Sequence, residues 1–164
     1  MLIHRLAEAV GAVLEKVAVP VLMATLSVLV FFQVLNRFIL HIPAAWTEEF
    51  SRYAFVWLSL LGAAEATRTG ANLNVEFLQD RLGGTAKRVM VFVSDLLSIA
   101  FFGFIAYQGF SWTFKNGFKV VADTVPLPMF YIQVILPVAA TIIVFFIVDH
   151  LVITLRKNEG GGKA

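Results

Sequence analysis

Asp95 is the one acid deep inside a long apolar stretch: Arg88 lies seven residues before it and Lys115 twenty after. A helix rises about 1.5 Å per residue, so Asp95 sits roughly 10 Å deeper than Arg88. A bare carboxylate in hydrocarbon is costly and must face protein, pair with a base or carry a proton. Ser94 and Ser98 extend its polar surroundings. Two chemistries fit: an ion or proton site, or a packing contact with Arg68 or with a partner subunit. His4, His41 and His150 are the other candidate ligands. A haem between helices needs axial ligands that face each other. All three histidines fall at the ends of apolar segments, His41 and His150 at opposite ends of the membrane, so solvated interfacial imidazoles are expected. Cysteine is absent, which excludes disulfides, thiolate metal sites and thiol nucleophiles. There is no P-loop, no zinc-ligand spacing and no serine–histidine pair at shared depth. The expectation is a chain with no catalytic residue, no metal and no cofactor.

A second set of groups is paired by spacing. Glu48 and Arg52 are i,i+4, Glu49 and Arg52 are i,i+3, and Glu65 and Arg68 are i,i+3. Each spacing puts both members on one helix face, where they can neutralise each other. Trp46 precedes the first set and suits a membrane–water interface. Gly62 with Ala66, and Gly103 with Ala106, offer small surfaces on which helices approach closely.

The elements that position these groups follow from composition. Of 164 residues, 59% are hydrophobic and 15% charged, and the mean hydropathy is +0.83. A soluble domain is about one quarter charged, so an integral membrane protein is expected. A net charge of +2 gives no footprint for nucleic acid. Val17 to Asn36 gives twenty uncharged residues, and Val89 to Phe114 gives twenty-six interrupted only by Asp95. Thr124 to Val148 gives twenty-five more. About 20 helical residues cross a hydrocarbon core. Tyr53 to Ala64 is uncharged over only twelve residues, but Trp46 to Ala66 gives twenty-one with its charges near the ends. The reading is an all-α integral membrane protein, one domain over 1–164, with four transmembrane helices at about 17–36, 46–66, 89–114 and 125–148.

Nine lysines and arginines fall on the side of the termini and four on the other, so both termini are expected in the cytoplasm. The basic start is read as an uncleaved first span rather than a signal peptide, because no small-residue cleavage pattern follows its apolar run. Leu2, Leu6, Val10, Val13 and Val17 recur at helical spacing, which predicts an amphipathic lead-in at the cytoplasmic interface. Pro43 separates the first two spans. A second short amphipathic helix is expected over Asn72 to Leu82, stopped by Gly83-Gly84, with Thr85 capping the third span. Asp123 or Thr124 is expected to cap the fourth, which Pro137 should kink. The glycines of the tail, Gly160 to Gly162, read as flexible. Intramembrane polar groups are few and no internal repeat frames a substrate site, which suggests an accessory subunit.

The run Trp46-Thr-Glu48-Glu49-Phe-Ser-Arg52, then Trp57, Gly62, Glu65, Arg68 and Gly70, resembles the small (DctQ-like) membrane subunit of tripartite ATP-independent periplasmic (TRAP) transporters. The resemblance covers about Val17 to Leu155. It implies a non-catalytic subunit of the bacterial inner membrane that scaffolds a larger polytopic permease. It further implies symport driven by a sodium or proton gradient, and an organic acid delivered by a periplasmic binding protein that docks transiently. On this resemblance Trp46, Glu48, Glu49, Arg52, Trp57, Gly62, Glu65, Arg68 and Asp95 form a structural motif or subunit interface, with pairs that are intrachain, contact a partner, or do both. Many members carry histidine soon after the arginine–glycine step, where this chain has Asn72; the later acid of that loop survives as Glu76. The alternative is a membrane anchor of a respiratory redox complex, and a small autonomous channel is a third reading.

Overall fold

The computed structural model of the chain describes residues 2–41, 45–69 and 84–160. Every regular element among them is helical; one isolated antiparallel bridge joins Val121 and Pro128. Helix α1 (Leu2–Val13) runs through a π-helical turn (Leu14–Ala18) into α2 (Val19–Leu35), which ends in a second π-helical turn (Asn36–Leu40). The remaining helices are α3 (Ala45–Arg68), α4 (Gly84–Asn116), the short α5 (Phe130–Gln133) and α6 (Ile135–Gly160).

The lead-in is not a separate interfacial helix. Val13 and Val19, on either side of the first π turn, both keep helical torsions, and the Val19 N–H donates to the Leu14 carbonyl. The reason is Pro20, the second residue of α2. Proline has no N–H, and its ring crowds the carbonyl four residues back, here Lys16. Widening one turn to i→i+5 bonding absorbs that conflict without a break. The continuous helix of residues 2–40 is therefore about 58 Å long, well beyond a ~30 Å hydrocarbon core. It stops at His41, whose left-handed torsions (φ 57°, ψ 24°) no helix can continue, while its N–H closes the second π turn on the Asn36 carbonyl.

Among the described residues three helical segments are long and apolar enough to cross a membrane: His4–Leu40, Val89–Asn116 and Phe130–Ile153. Helix α3 has 24 residues, about 36 Å, but carries Glu48, Glu49, Arg52, Glu65 and Arg68 and is less apolar. The helix containing Thr85 begins at Gly84, so Thr85 lies inside it rather than capping it. Residues 72–82, Pro43, Gly161 and Gly162 lie outside the described residues, whereas Gly160, expected to be flexible, is the last residue of α6.

The fourth helix also starts later than Asp123 or Thr124 would allow. Pro126 and Pro128 cannot donate, and the chain before Phe130 turns back on itself. Ala122 N–H bonds the Leu127 carbonyl (2.9 Å), Met129 N–H the Val120 carbonyl (2.9 Å), and Phe130 N–H the Gly117 carbonyl (2.8 Å). Pro137 explains the interruption between α5 and α6: its ring excludes the normal bond to the Gln133 carbonyl, the last residue of α5.

Helix α3 lies between α2 and α6, α4 packs along α6, and α1 reaches the C-terminal half of α6. The shared core is Ala7, Leu14, Leu61, Ala64, Ile135, Ala139, Ile143, Phe146 and Ile147. The α6 members recur every three or four residues, one face of a helix. By contrast α2 buries nothing. Because lipid tails are as apolar as leucine, burial alone does not hold such helices together, and close fit must. The close approaches are not at the expected patches, since a Cβ on Gly62 or Gly103 would meet nothing within 4 Å. They are at Gly109, where a Cβ would stand 3.1 Å from the Pro137 ring, and at Gly117, where it would stand 2.8 Å from Phe130 Cα.

Candidate functional site

The motif residues divide into two clusters at opposite ends of α3. At its start Glu49 is 6% exposed. Its carboxylate does not pair with Arg52. Oε1 accepts the Tyr53 hydroxyl and the Asp123 N–H (2.9 Å), and Oε2 accepts the Thr124 N–H (2.9 Å). The expected neutralised cluster thus gives way to a clasp that ties the α4–α5 connection to α3. The physical reason is that two peptide N–H groups, left over by the turn around Pro126, point at the carboxylate and hold it without a counter-ion. Arg52 instead faces Glu48 at 3.9 Å, with both side chains about two-thirds exposed. Below the clasp Ser51 donates to the Thr47 carbonyl (2.7 Å), and both residues are buried. Trp46 packs against Phe32 of α2 and Phe50, with ring centroids 6.0 and 6.4 Å away.

At the other end of α3 the spacing of Glu65 and Arg68 reads correctly. Arg68 Nε donates to both Glu65 oxygens (2.9 and 3.1 Å). Its Nη2 also donates to Glu15 on the long first helix (2.8 Å). These acceptors, Glu65 foremost, push the guanidinium above its already high ordinary pKa. The arginine stem crosses Gly11 so closely that a Cβ there would sit 2.2 Å from Arg68 Cδ. Gly11, Glu15 and Tyr53 were not singled out from the sequence; the i,i+4 spacing of Glu49 and Tyr53 is the one signal that reveals any of them.

Asp95 is not beside Arg68. Its Oδ2 lies 3.5 Å from His150 Nδ1, with the Asp95 side chain 19% exposed. Arg68 is already taken by two acids, and α4 packs on α6 rather than on the end of α3. The neighbouring Asp149 turns to α1 instead: His4 Nδ1 lies 3.2 Å from its Oδ2, and His4 Nε2 is 3.5 Å from Glu8. His4 and His150 are exposed, as expected, and each also faces a carboxylate on another helix. Each joins α6 to a different neighbour. No group of three or more potential metal ligands occurs among the described residues. Trp57 packs on the core and lines an apolar groove of about 280 Å3 between α2, α3 and the α5 region, with Leu22, Thr25, Tyr53 and Tyr131. Asn72, Glu76 and Gly70 lie outside the described residues.

Such an arrangement fastens helices together. Among the described residues no nucleophile stands beside a base; Glu49, Glu65 and Asp149 are held by peptide N–H groups, a tyrosine, an arginine and an imidazole, while Asp95 Oδ2 is buried 3.5 Å from His150 without a hydrogen bond. A family model described as the DctQ component of tripartite ATP-independent periplasmic transporters matches residues 26–157. The chain is 27% identical over 145 residues to the sialic acid TRAP transporter small permease protein SiaQ of Vibrio cholerae, covering 88% of this chain and 83% of that one. It is 31% identical over 98 residues to a putative TRAP transporter small permease protein of Haemophilus influenzae, covering 60% of each. It also matches, at 26% identity over 130 residues, the isethionate TRAP transporter permease protein DctMQ of Oleidesulfovibrio alaskensis, taking 73% of this chain but 20% of that protein.

Proposed function

Since the chain belongs to the DctQ component family of tripartite ATP-independent periplasmic transporters, we propose that it is the fixed, non-catalytic scaffold of such a transporter. In this reading it braces a large permease subunit in the inner membrane. The family is one of transporter permease subunits rather than enzymes. The large subunit carries an organic acid inward on a sodium or proton gradient, and a periplasmic binding protein delivers the acid. Relatives named for sialic acid and for isethionate, one a carboxylic and one a sulfonic acid, favour an organic anion as cargo. In the isethionate relative the matching segment is a fifth of one longer permease chain, which favours a lasting partnership with the large subunit.

The observation that carries this reading is where the polar groups go. Glu49 is spent on the α4–α5 connection, Arg68 on Glu65 and Glu15, and His4 on Asp149. Groups committed to bracing helices are not available to cradle a cargo. Family membership favours the transporter reading over a redox anchor. In the proposed topology α3 crosses the bilayer as the second of four spans. Its Glu49 end lies at the outer rim and its Arg68 end at the inner rim, with both termini cytoplasmic.

Reconstitution tests the reading. Vesicles holding the large permease, loaded from outside with binding protein and labelled acid, are expected to accumulate the acid only when this chain is present. Undiminished uptake by the large permease alone refutes the scaffold role, and flux through this chain alone establishes an autonomous carrier instead.

A further inference from the structure

We infer that the outward stripe of α3, formed by Glu48, Arg52, Phe55, Ser59 and Ala63, is the seat for a transmembrane helix of the large permease subunit. The inference rests on the scaffold reading above and says which face does the work. These five residues are spaced by four, three, four and four positions and all are exposed, so they form one face of the helix. The other uncovered faces of the molecule look different. Along α2 Val21, Met23, Val28 and Phe31 are exposed beside Ala24, Thr25 and Ser27, whose two hydroxyls bond the Val21 and Met23 carbonyls of their own helix, and along α4 Leu97 and Phe101 are exposed; neither stretch exposes a charge, as contact with lipid requires.

The α3 face places the exposed Glu48–Arg52 pair where those helices expose uncharged side chains. Gly62 flanks it with open space beyond its Cα. Arg52 lies six residues beyond Trp46, about 9 Å along the helix, and its 3.9 Å contact with Glu48 leaves most of its donors unused. Against lipid, such a face is costly. Against another helix, small residues permit close approach, and serine and arginine find acceptors. A second observation adjoins it. A groove of about 590 Å3 opens beside Val56 and Leu60 of α3, walled by Phe104 and Trp112 of α4 and floored by Leu136. Stripe and groove meet at Val56, which is exposed on the one and lines the other. The occupant we assign is the large subunit because, in the isethionate relative, a segment like this chain belongs to the same permease polypeptide.

The chain has no cysteine, so Ser59→Cys is a unique thiol. The full chain is co-expressed with the large permease and purified by a tag on the small subunit. Ser59→Cys is expected to react with a membrane-permeant maleimide at least tenfold more slowly in the complex than in the isolated chain. It is also expected to capture the large subunit through a bifunctional crosslinker. Ala63→Trp is expected to lower recovery of the large subunit at least tenfold while the isolated variant keeps its helical circular dichroism. Leu97→Trp on α4 is expected to leave recovery unchanged. Full recovery with Ala63→Trp and unchanged Ser59→Cys reactivity, while the wild-type chain still retains the large subunit, overturns the seat alone. Crosslinking only to a second copy of this chain, or only to lipid, also overturns it. A wild-type chain that retains no large subunit overturns the scaffold reading with it.

Discussion

Replacing Glu49 by glutamine keeps the shape of the clasp and removes its charge. Oε1 accepts two hydrogen bonds, from Tyr53 and the Asp123 N–H, and Oε2 accepts one from Thr124. A glutamine has one acceptor oxygen and one NH2 donor. Kept toward Tyr53 and Asp123, its oxygen preserves those two bonds, weakened by loss of charge, and its NH2 confronts the Thr124 N–H donor to donor. In the other orientation the NH2 donates to the Tyr53 oxygen and confronts the Asp123 N–H. Either arrangement therefore forfeits one charge-assisted bond outright. Hydrogen bonds to charged groups are worth about 1.5–3 kcal/mol. Asp123 and Thr124 are exposed, so water recovers part of this, and about 2 kcal/mol is the expected net loss. For a chain of this size that corresponds to a fall of about 4–8 °C in Tm. The local signature is sharper. Amide exchange at Asp123 and Thr124 should accelerate by more than tenfold, since about 1.4 kcal/mol is a factor of ten, while exchange in the α6 core around Ile143 stays put. Measured in detergent or nanodiscs by hydrogen–deuterium exchange, unchanged protection at Asp123 and Thr124 in Glu49→Gln would refute the clasp.

Three further substitutions probe the remaining contacts. Gly11→Val drives a side chain into Arg68 and should cost about 1–3 kcal/mol as the contact with Glu15 is released; a thermal melt unchanged within error disproves the crossing. Gly109→Leu must push the Pro137 ring away, and overpacking of this kind costs about 1–3 kcal/mol. The expected readout is faster amide exchange along the α4–α6 seam with the α2–α3 pair unaffected. Asp95→Asn retains a polar partner for His150, so cation-dependent uptake by the assembled transporter is expected to persist; loss of cation dependence would make Asp95 an ion site.

What the sequence made legible is local. Glu65 and Arg68 sit one turn apart, so their bond is a matter of helix geometry and needs no knowledge of the fold. The helical character of the four long segments is equally local, because each is a long stretch rich in apolar residues, broken in the second by charges near its ends and in the third by Asp95. The partners of Glu49 are peptide groups 74 and 75 residues away, and a backbone N–H carries no signature in a residue string. The spacing to Arg52 therefore pointed to the wrong partner. Gly11 was silent for a related reason: a missing side chain matters only once Arg68 is laid across it. The uncharged run after Lys16 set the start of the first span apart from the lead-in, yet one π turn carries the helix through Lys16 and on past Pro20. Asp95 found His150 rather than Arg68 because the pairing of α4 with α6 decides its neighbours, and only the assembled bundle fixes that.

The α2–α3 pair is fastened at both extremities, by Phe32 on Trp46 at one and by Glu15 on Arg68 at the other. A strut closed top and bottom cannot absorb a change of slant by splaying. A lean of about 10° about Gly11 would carry the far end near His41 sideways by about 8 Å. Because the two rods are yoked, that displacement would be handed whole to whatever leans on them.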